Sequence, residues 1–243
     1  MLLEPLQTEA LSVPETTGRQ LLRTAPYIHA AADRAHRHFS PSGNLRRQKA
    51  EVHLHSAENV HTAISGRDAK DRAELEDFVH DIFARAYGAD VREFMPQLMS
   101  LRNTQGELLA VCGLRHAEDS RLFLERYLTQ PVEHMIAEKS GQAVERQDIV
   151  EIGNLAVAHP ETSRSLLASI SLYLHGTNTA WGVFTGIPSL RNSLCKLNML
   201  LLPLGIASLS HLPQHEHAAW GTYYDEKPHV MAVQRLQPAR SVV

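Results

Sequence analysis

Cysteine is almost missing from this chain of 243 residues: Cys112 and Cys195 are the whole supply. Two thiols cannot build the multi-bridge framework of a small secreted scaffold. Each lies in an apolar run, so both read as buried, reduced side chains. An excess of positive charge is missing as well. Lysine and arginine number 24 against 27 acids, and 24 − 27 leaves −3, which gives no basic footprint for a nucleic acid. Apolar runs are short, and none approaches the ~18 residues of a bilayer-spanning helix. Met1-Leu-Leu-Glu-Pro5 has an early acid and no apolar signal-peptide core, so a cytoplasmic protein is expected. Internal repeats and low-complexity tracts are absent too.

Histidine is what the chain has in surplus, with 15 residues. His53 and His55 would share one strand face, and so would His215 and His217. A metal needs three or four converging ligands, and no acid or cysteine completes either pair. No metal site is expected, and a pH-sensitive surface is as plausible a use. No local pattern marks a Ser/His/Asp or Cys/His nucleophile.

Residues 1–50 carry Pro5, Pro14, Pro26, Pro41 and a Ser-Pro-Ser-Gly stretch at 40–43. They read as a partly ordered or loosely docked extension with a helix candidate at 27–39. Residues 51–237 read as one domain, and 238–243 as a tail. Within the domain the punctuation is regular. Val52–His55 is a short strand candidate. Leu75, Phe78, Val79, Ile82, Phe83 and Ala86 recur at helical period, and Gly88 stops that helix. Gln97–Arg102 and Glu107–Arg115 flank an Asn103-Thr-Gln-Gly106 turn and read as a hairpin. Helices are predicted after Pro131, Pro160 and Pro188. Strands are predicted at 148–158 and 181–185, and at least two more between Met199 and Leu236 around a loop at 211–228. The fold class is α/β (α+β): a mixed central sheet covered by helices on both faces. The strands at 97–102, 107–115, 148–157 and 181–185 should neighbour one another, with a V-shaped parting between the last two. That element order resembles the GNAT acyltransferase fold.

The segment Asp148-Ile-Val-Glu-Ile-Gly-Asn-Leu-Ala-Val157 is a strand with an acid in its middle. Alternation puts Glu151 on one face with Ile149, Leu155 and Val157, and Asn154 on the other. A bulge at Gly153 would re-aim one of them and free a backbone N–H. A buried carboxylate beside a free N–H suits acyl transfer: one takes a proton from an amine, the other stabilises the thioester oxyanion. The plain structural alternative is a glutamate paired with an arginine inside a sheet. Arg115 ends a central strand, where it can meet Glu151 or a ligand carboxylate. Glu125 and Tyr127 follow in a stretch that reads equally as strand or loop.

Leu122-Phe-Leu-Glu-Arg-Tyr-Leu128, Ile149-Val-Glu-Ile-Gly-Asn-Leu-Ala156 and Trp220-Gly-Thr-Tyr-Tyr224 together resemble the thermostable hemolysin family, over about residues 60–236. That family's core is similar to acyl-homoserine-lactone synthases, which are GNAT-like. The resemblance aligns Glu151 with the acid of a Trp-Glu-x-Ser-Arg type motif and Arg115 with a synthase arginine. Gly153 stands where the serine would be, and Asn154 where the second arginine would be. Glu151 and Arg115 are thus the catalytic candidates, with Glu125 the substitute base should Glu151 be structural, and Tyr127, Asn154 and Gly153 at the substrate. The implied reaction moves an acyl group, fatty in character, from an acyl-carrier-protein or acyl-CoA thioester to a small amine, with no tightly bound cofactor. The family's name suggests a second class, a membrane-active protein. A third is a non-catalytic protein that binds acyl chains or lipid.

Donor binding rests on the loop Ala158-His-Pro-Glu-Thr-Ser-Arg-Ser165, which lacks the glycines that let backbone amides hold a pyrophosphate. Ser163, Arg164 and Ser165 can still hold one phosphate, while Glu161 repels it. This favours phosphopantetheine on an acyl carrier protein over free CoA, as the resemblance also implies. Leu155, Val157, Phe184, Thr185, Arg191 and Asn192 are the remaining donor-side candidates. Leu200-Leu-Leu-Pro-Leu204 reads as a core strand or as a wall for an acyl chain.

Overall fold

The computed structural model describes residues 60–197 and 199–235. The strand candidate at 52–55, the helix candidate at 27–39, the His53/His55 pair, the extension and the tail lie outside these residues. Seven strands form one sheet: β1 (Val60–Ser65), β2 (Gln97–Asn103), β3 (Leu108–His116), β4 (Ile149–Val157), β5 (Trp181–Gly186), β6 (Leu201–Ile206) and β7 (His229–Gln234). Their order is β1-β2-β3-β4-β5-β7-β6. Only β4 and β5 are parallel neighbours, joined by a helical crossover. The edge strand β1 was not anticipated; Val60-His-Thr-Ala-Ile-Ser65 has four exposed side chains, so no buried face gives it away. At the other edge, β6 tolerates Pro203 because an edge strand has a row of N–H groups with no ladder to feed.

Four α-helices cover the sheet: α1 (Arg72–Tyr87), α2 (Val132–Ser140), α3 (Ser163–Gly176) and α4 (Pro188–Lys196). On one face α3 and α4 bury Leu166, Ile170, Leu174 and Leu194 against Cys112, Leu114, Ile152, Phe184 and Val233. On the other, α1 lays Leu75, Val79 and Phe83 over Leu98, Val111 and Ala156, and α2 lays Val132 and Ile136 beside Ile149, Val183 and Val230. The period of four in Leu75, Val79 and Phe83 is thus the stripe that seats α1. The hairpin turn is tied by Asn103, whose Oδ1 accepts from the amides of Gln105 and Glu107 at 3.0 and 2.9 Å. Cys112 is buried, as its apolar run predicts, and burial pushes its thiol pKa up to about 12. Cys195 corrects the reading: it is exposed, because it lies on the outer side of α4 while Leu194 takes the core position.

Two features shape the centre of the sheet. The β4–β5 pairing runs from Ile149↔Trp181 to Ile152↔Phe184 and stops, although both strands continue. This is the expected V-shaped parting. Opposite Cys112, two residues of β4, Asn154 and Leu155, occupy the place of one. The bulge therefore sits one residue beyond the expected position, and Asn154 takes a positive φ of 44°. The extra residue switches the alternation. Leu155 and Val157 join Ile152 on the α3–α4 face rather than Glu151 on the other.

Candidate active site

Glu151 lies on the α1–α2 face of β4 with 2% of its surface exposed. A buried carboxylate needs partners, and here they are backbone. Leu122-Phe-Leu-Glu-Arg-Tyr-Leu128 is neither strand nor plain loop but a 3-10 turn over Phe123–Tyr127. The Phe123 amide donates to Glu151 Oε2 at 2.9 Å and the Leu124 amide to Oε1 at 2.8 Å. Arg115, directly across the ladder from Glu151, brings Nη1 to 3.9 Å of Oε2 and donates a 3.5 Å bond to the Arg121 carbonyl. Burial raises the Glu151 pKa above its ordinary 4.5 and outweighs the lowering by the two amides and Arg115. The site thus holds a carboxylate with raised proton affinity and a guanidinium only loosely engaged.

Glu125 points to the other side of the turn. Its oxygens accept from the amides of Leu122 and Val132 at 2.9 and 3.1 Å and from Arg146 at 2.7 Å. Burial would raise its pKa, but Arg146 and the two amides prevail and hold it below 4.5. Arg146 also reaches Glu133 and the carbonyls of Ala117 and Ser120. An open depression of about 490 Å³ adjoins this network. Its buried acid is already neutralised, and it lies by the start of β4, away from the parting. Glu125 is therefore bound as an anchor of the turn and of α2. Arg146, which does the binding, escaped sequence reading because 141–147 has no periodicity to mark it.

Asn154 and Gly153 serve a third structure. Asn154 Oδ1 accepts from the Met95 amide at 3.0 Å, and Nδ2 donates to the Glu93 carbonyl at 3.3 Å. From the opposite side Arg72 donates to the Met95 carbonyl at 2.7 Å. The Met95 side chain then fills the space above Gly153, where a Cβ would stand 2.4 Å from its methyl carbon. So Asn154, in place of a charged residue, clamps the α1–β2 connection across the bulge. Tyr127 is also committed: it is buried, its hydroxyl is hydrogen-bonded to that of Tyr224, and burial raises its pKa.

Trp220-Gly-Thr-Tyr-Tyr224 supplies the wall between the turn and α1. Trp220 packs against Phe123, Tyr223 and Tyr224 at centroid distances of 5.9, 5.6 and 5.5 Å, tilted to the first two and edge-on to the third. Tyr223 packs on Tyr87 and donates to the Thr185 carbonyl at 3.4 Å, beyond the last β4–β5 pair. The loop holding these rings is three successive 3-10 turns. His215 and His217 therefore do not lie on a strand, and His217 instead donates to the Leu212 carbonyl at 2.9 Å.

On the opposite face the parting opens over a cavity of about 70 Å³, lined mostly by apolar side chains, among them Leu155, Phe184, Leu190, Leu194 and Met199. Of the donor-side residues, Leu155 and Phe184 line it, and Val157 packs in the same core. Thr185 lies on the aromatic side. Ser163, Arg164 and Ser165 form the first turn of α3, entered directly from a 3-10 turn over Pro160–Thr162 with no side-chain cap. Arg191 and Asn192 sit on α4, outside the cavity lining. Leu190, Leu194 and Met199 were missed as lining because their spacing is that of any core helix. Leu200 is exposed and Leu204 is buried near α2, so the 200–204 run forms no wall of this cavity.

The family model described as thermostable hemolysin matches residues 65–238. No curated protein matches the chain. Among solved structures, TofI in an apo form is similar at 14% identity and a TM-score of 0.50, over 72% of this chain and 90% of that one. The AHL synthase LasI is similar at 10% identity and a TM-score of 0.47, over 72% and 91%. FeeM, an N-acyl amino acid synthase from uncultured soil microbes, is similar at 13% and 0.47, over 72% and 90%. The likeness to TofI is one of fold.

Proposed function

This chain belongs to the thermostable hemolysin family, and for it we propose an N-acyltransferase that moves an acyl group, fatty in character, from a thioester to an amine. One observation carries the reading: β4 parts from β5 beyond Ile152 and Phe184, with an apolar cavity on one side and buried Glu151 three residues before the bulge. A strand that leaves its neighbour presents backbone amides and carbonyls to an incoming chain. The amide-rich pantetheine arm matches such an edge, and Leu155 and Phe184 receive its acyl group. The amine approaches from the Glu151 side. Its nitrogen bonds to the thioester carbon, the C–S bond breaks, and the amine proton passes to Glu151 and then to the departing thiolate. Each carboxylate oxygen accepts one backbone amide, from Phe123 or Leu124, and keeps a second lone pair for that proton. The raised proton affinity of Glu151 moves it toward the working range of a general base. Arg115 grips a carboxylate on the acceptor or steadies Glu151.

We assign the donor to an acyl carrier protein. The entry to α3 has no glycine and carries Glu161, which leaves Ser163, Arg164 and Ser165 able to hold a single phosphate, with Thr185, Arg191 and Asn192 along the arm. The test is transfer of a labelled acyl group from acyl carrier protein and from acyl-CoA to a pool of amines, with product mass as readout. An amide formed faster from the carrier is expected. Faster use of the CoA thioester overturns the donor assignment, and neither transfer nor binding of either donor overturns the function.

A further inference from the structure

Acids make up 27 of the 243 residues, yet none occurs between Glu161 and Glu216. That stretch contains α3, β5, α4 and β6 and carries Arg164, Arg191 and Lys196. It also carries four of the five exposed large apolar side chains among the described residues: Leu172, Leu197, Leu200 and Ile206, the fifth being Ile64. Leu172 is 74% exposed and Leu200 83%. The core does not need them, because Leu166, Ile170, Leu174 and Leu194 already fill the inner side of this layer. Leu172 lies on α3, Leu197 caps α4 and Leu200 follows it, while their sequence neighbours Ser171 and Met199 line one apolar cavity in this layer.

Exposed apolar side chains and cations within one acid-free stretch of chain are complementary to one kind of surface: apolar a few ångströms down and negative at the top. An acidic protein partner would use the cations but leave the exposed leucines unexplained. We propose that the outer face of the α3–α4 layer is a peripheral docking surface for a bilayer containing anionic lipid. Leu172, Leu197 and Leu200 enter the headgroup boundary, Arg191 and Lys196 meet phosphate or carboxylate groups, and the cavity faces the acyl region. Among the described residues no helix is long and apolar enough to cross a membrane; the proposed attachment is made by surface side chains. The proposal holds whether or not the chain transfers acyl groups.

The experiment is flotation of the full chain with vesicles of phosphatidylcholine alone and of phosphatidylcholine with about a quarter phosphatidylserine. Flotation with the anionic vesicles, weakened by salt, is expected. Leu172→Ser with Leu200→Ser should lower it about tenfold or more, and Arg191→Glu with Lys196→Glu should remove the preference for anionic lipid. Ile64→Ser, an exposed apolar residue at the far edge of the sheet, should change nothing. Leu200→Ser alone, at so exposed a position, guards against loss of fold, and melting temperatures are recorded for all variants. Absence of flotation, flotation unchanged in the leucine variants, or binding only to an acidic carrier protein each overturns the proposal.

Discussion

Glu151 has two obligations that one substitution separates. It is proposed to take a proton, and it holds the Phe123 and Leu124 amides. Glu151→Gln offers only one acceptor oxygen to two amides, so a stability loss of about 1–3 kcal/mol accompanies a rate loss of about 10²–10⁴. Glu125→Gln loses part of its ion pair with Arg146 and is expected to lower stability with little effect on turnover per folded molecule. Turnover and melting temperature of both variants decide the matter; near-normal turnover of Glu151→Gln would end its catalytic role. Asn154 pays for its clamp with a left-handed backbone. Asn154→Gly keeps that backbone and loses the two clamp bonds, at about 1–2 kcal/mol. Asn154→Ala adds the left-handed penalty of about 1 kcal/mol. Hydrogen exchange at the Met95 amide should accelerate in both; unchanged exchange would mean that Arg72 alone holds the segment.

At the scale of elements, the loop between β6 and β7 is fixed by one contact that admits only glycine. Gly221 has φ 50°, and a Cβ there would stand 2.1 Å from the Tyr87 carbonyl oxygen. Thr222 donates its amide to that same oxygen at 2.9 Å, and Asp90 donates to the Ala219 carbonyl at 2.7 Å. The end of α1 and the aromatic loop are thereby docked, which brings Trp220, Tyr223 and Tyr224 between α1 and the Phe123–Tyr127 turn. Gly221→Ala is expected to release this loop, at about 2 kcal/mol or more for the clash and the strained backbone. Red-shifted tryptophan emission from Trp220 and a lowered melting temperature are the readouts. An unchanged spectrum would place the anchorage of the loop elsewhere.

The whole molecule should register the two buried glutamates in opposite senses as pH falls. Glu151 has a folded-state pKa above 4.5, so its contribution is fully present below 4.5 and lost as pH rises through the raised value. Glu125 has a folded-state pKa below 4.5, so its contribution is present above 4.5 and lost as pH falls through the lowered value. Acidification from neutrality therefore brings a gain from Glu151 first and a loss from Glu125 below it. Melting temperature against pH checks this: Glu151→Gln should remove the gain, and Glu125→Gln the acid-side loss. The same acid limb should cut the acyl-transfer rate, since a protonated Glu151 cannot accept the amine proton.

Local chemistry by itself determined much of this protein. Apolar period, the turn at Asn103–Gly106 and prolines at helix starts located α1 to α4 and β2 to β5, because those signals act within a few residues. The apolar runs of β3 and β4 placed both strands centrally, and a lone acid amid Ile149, Val150 and Ile152 singled out Glu151. What needed the tertiary structure was everything set by distant pairing. The bulge moved to Asn154 and Leu155 because strand register is fixed by β3, not by β4 alone, and that one extra residue turned Leu155 toward the cavity. The amides that hold Glu151 lie 28 and 27 residues away, and the arginine that pairs with Glu125 lies 21 residues ahead. Side-chain identity fixes what a residue can bond to; only the folded path of the chain decides which group arrives.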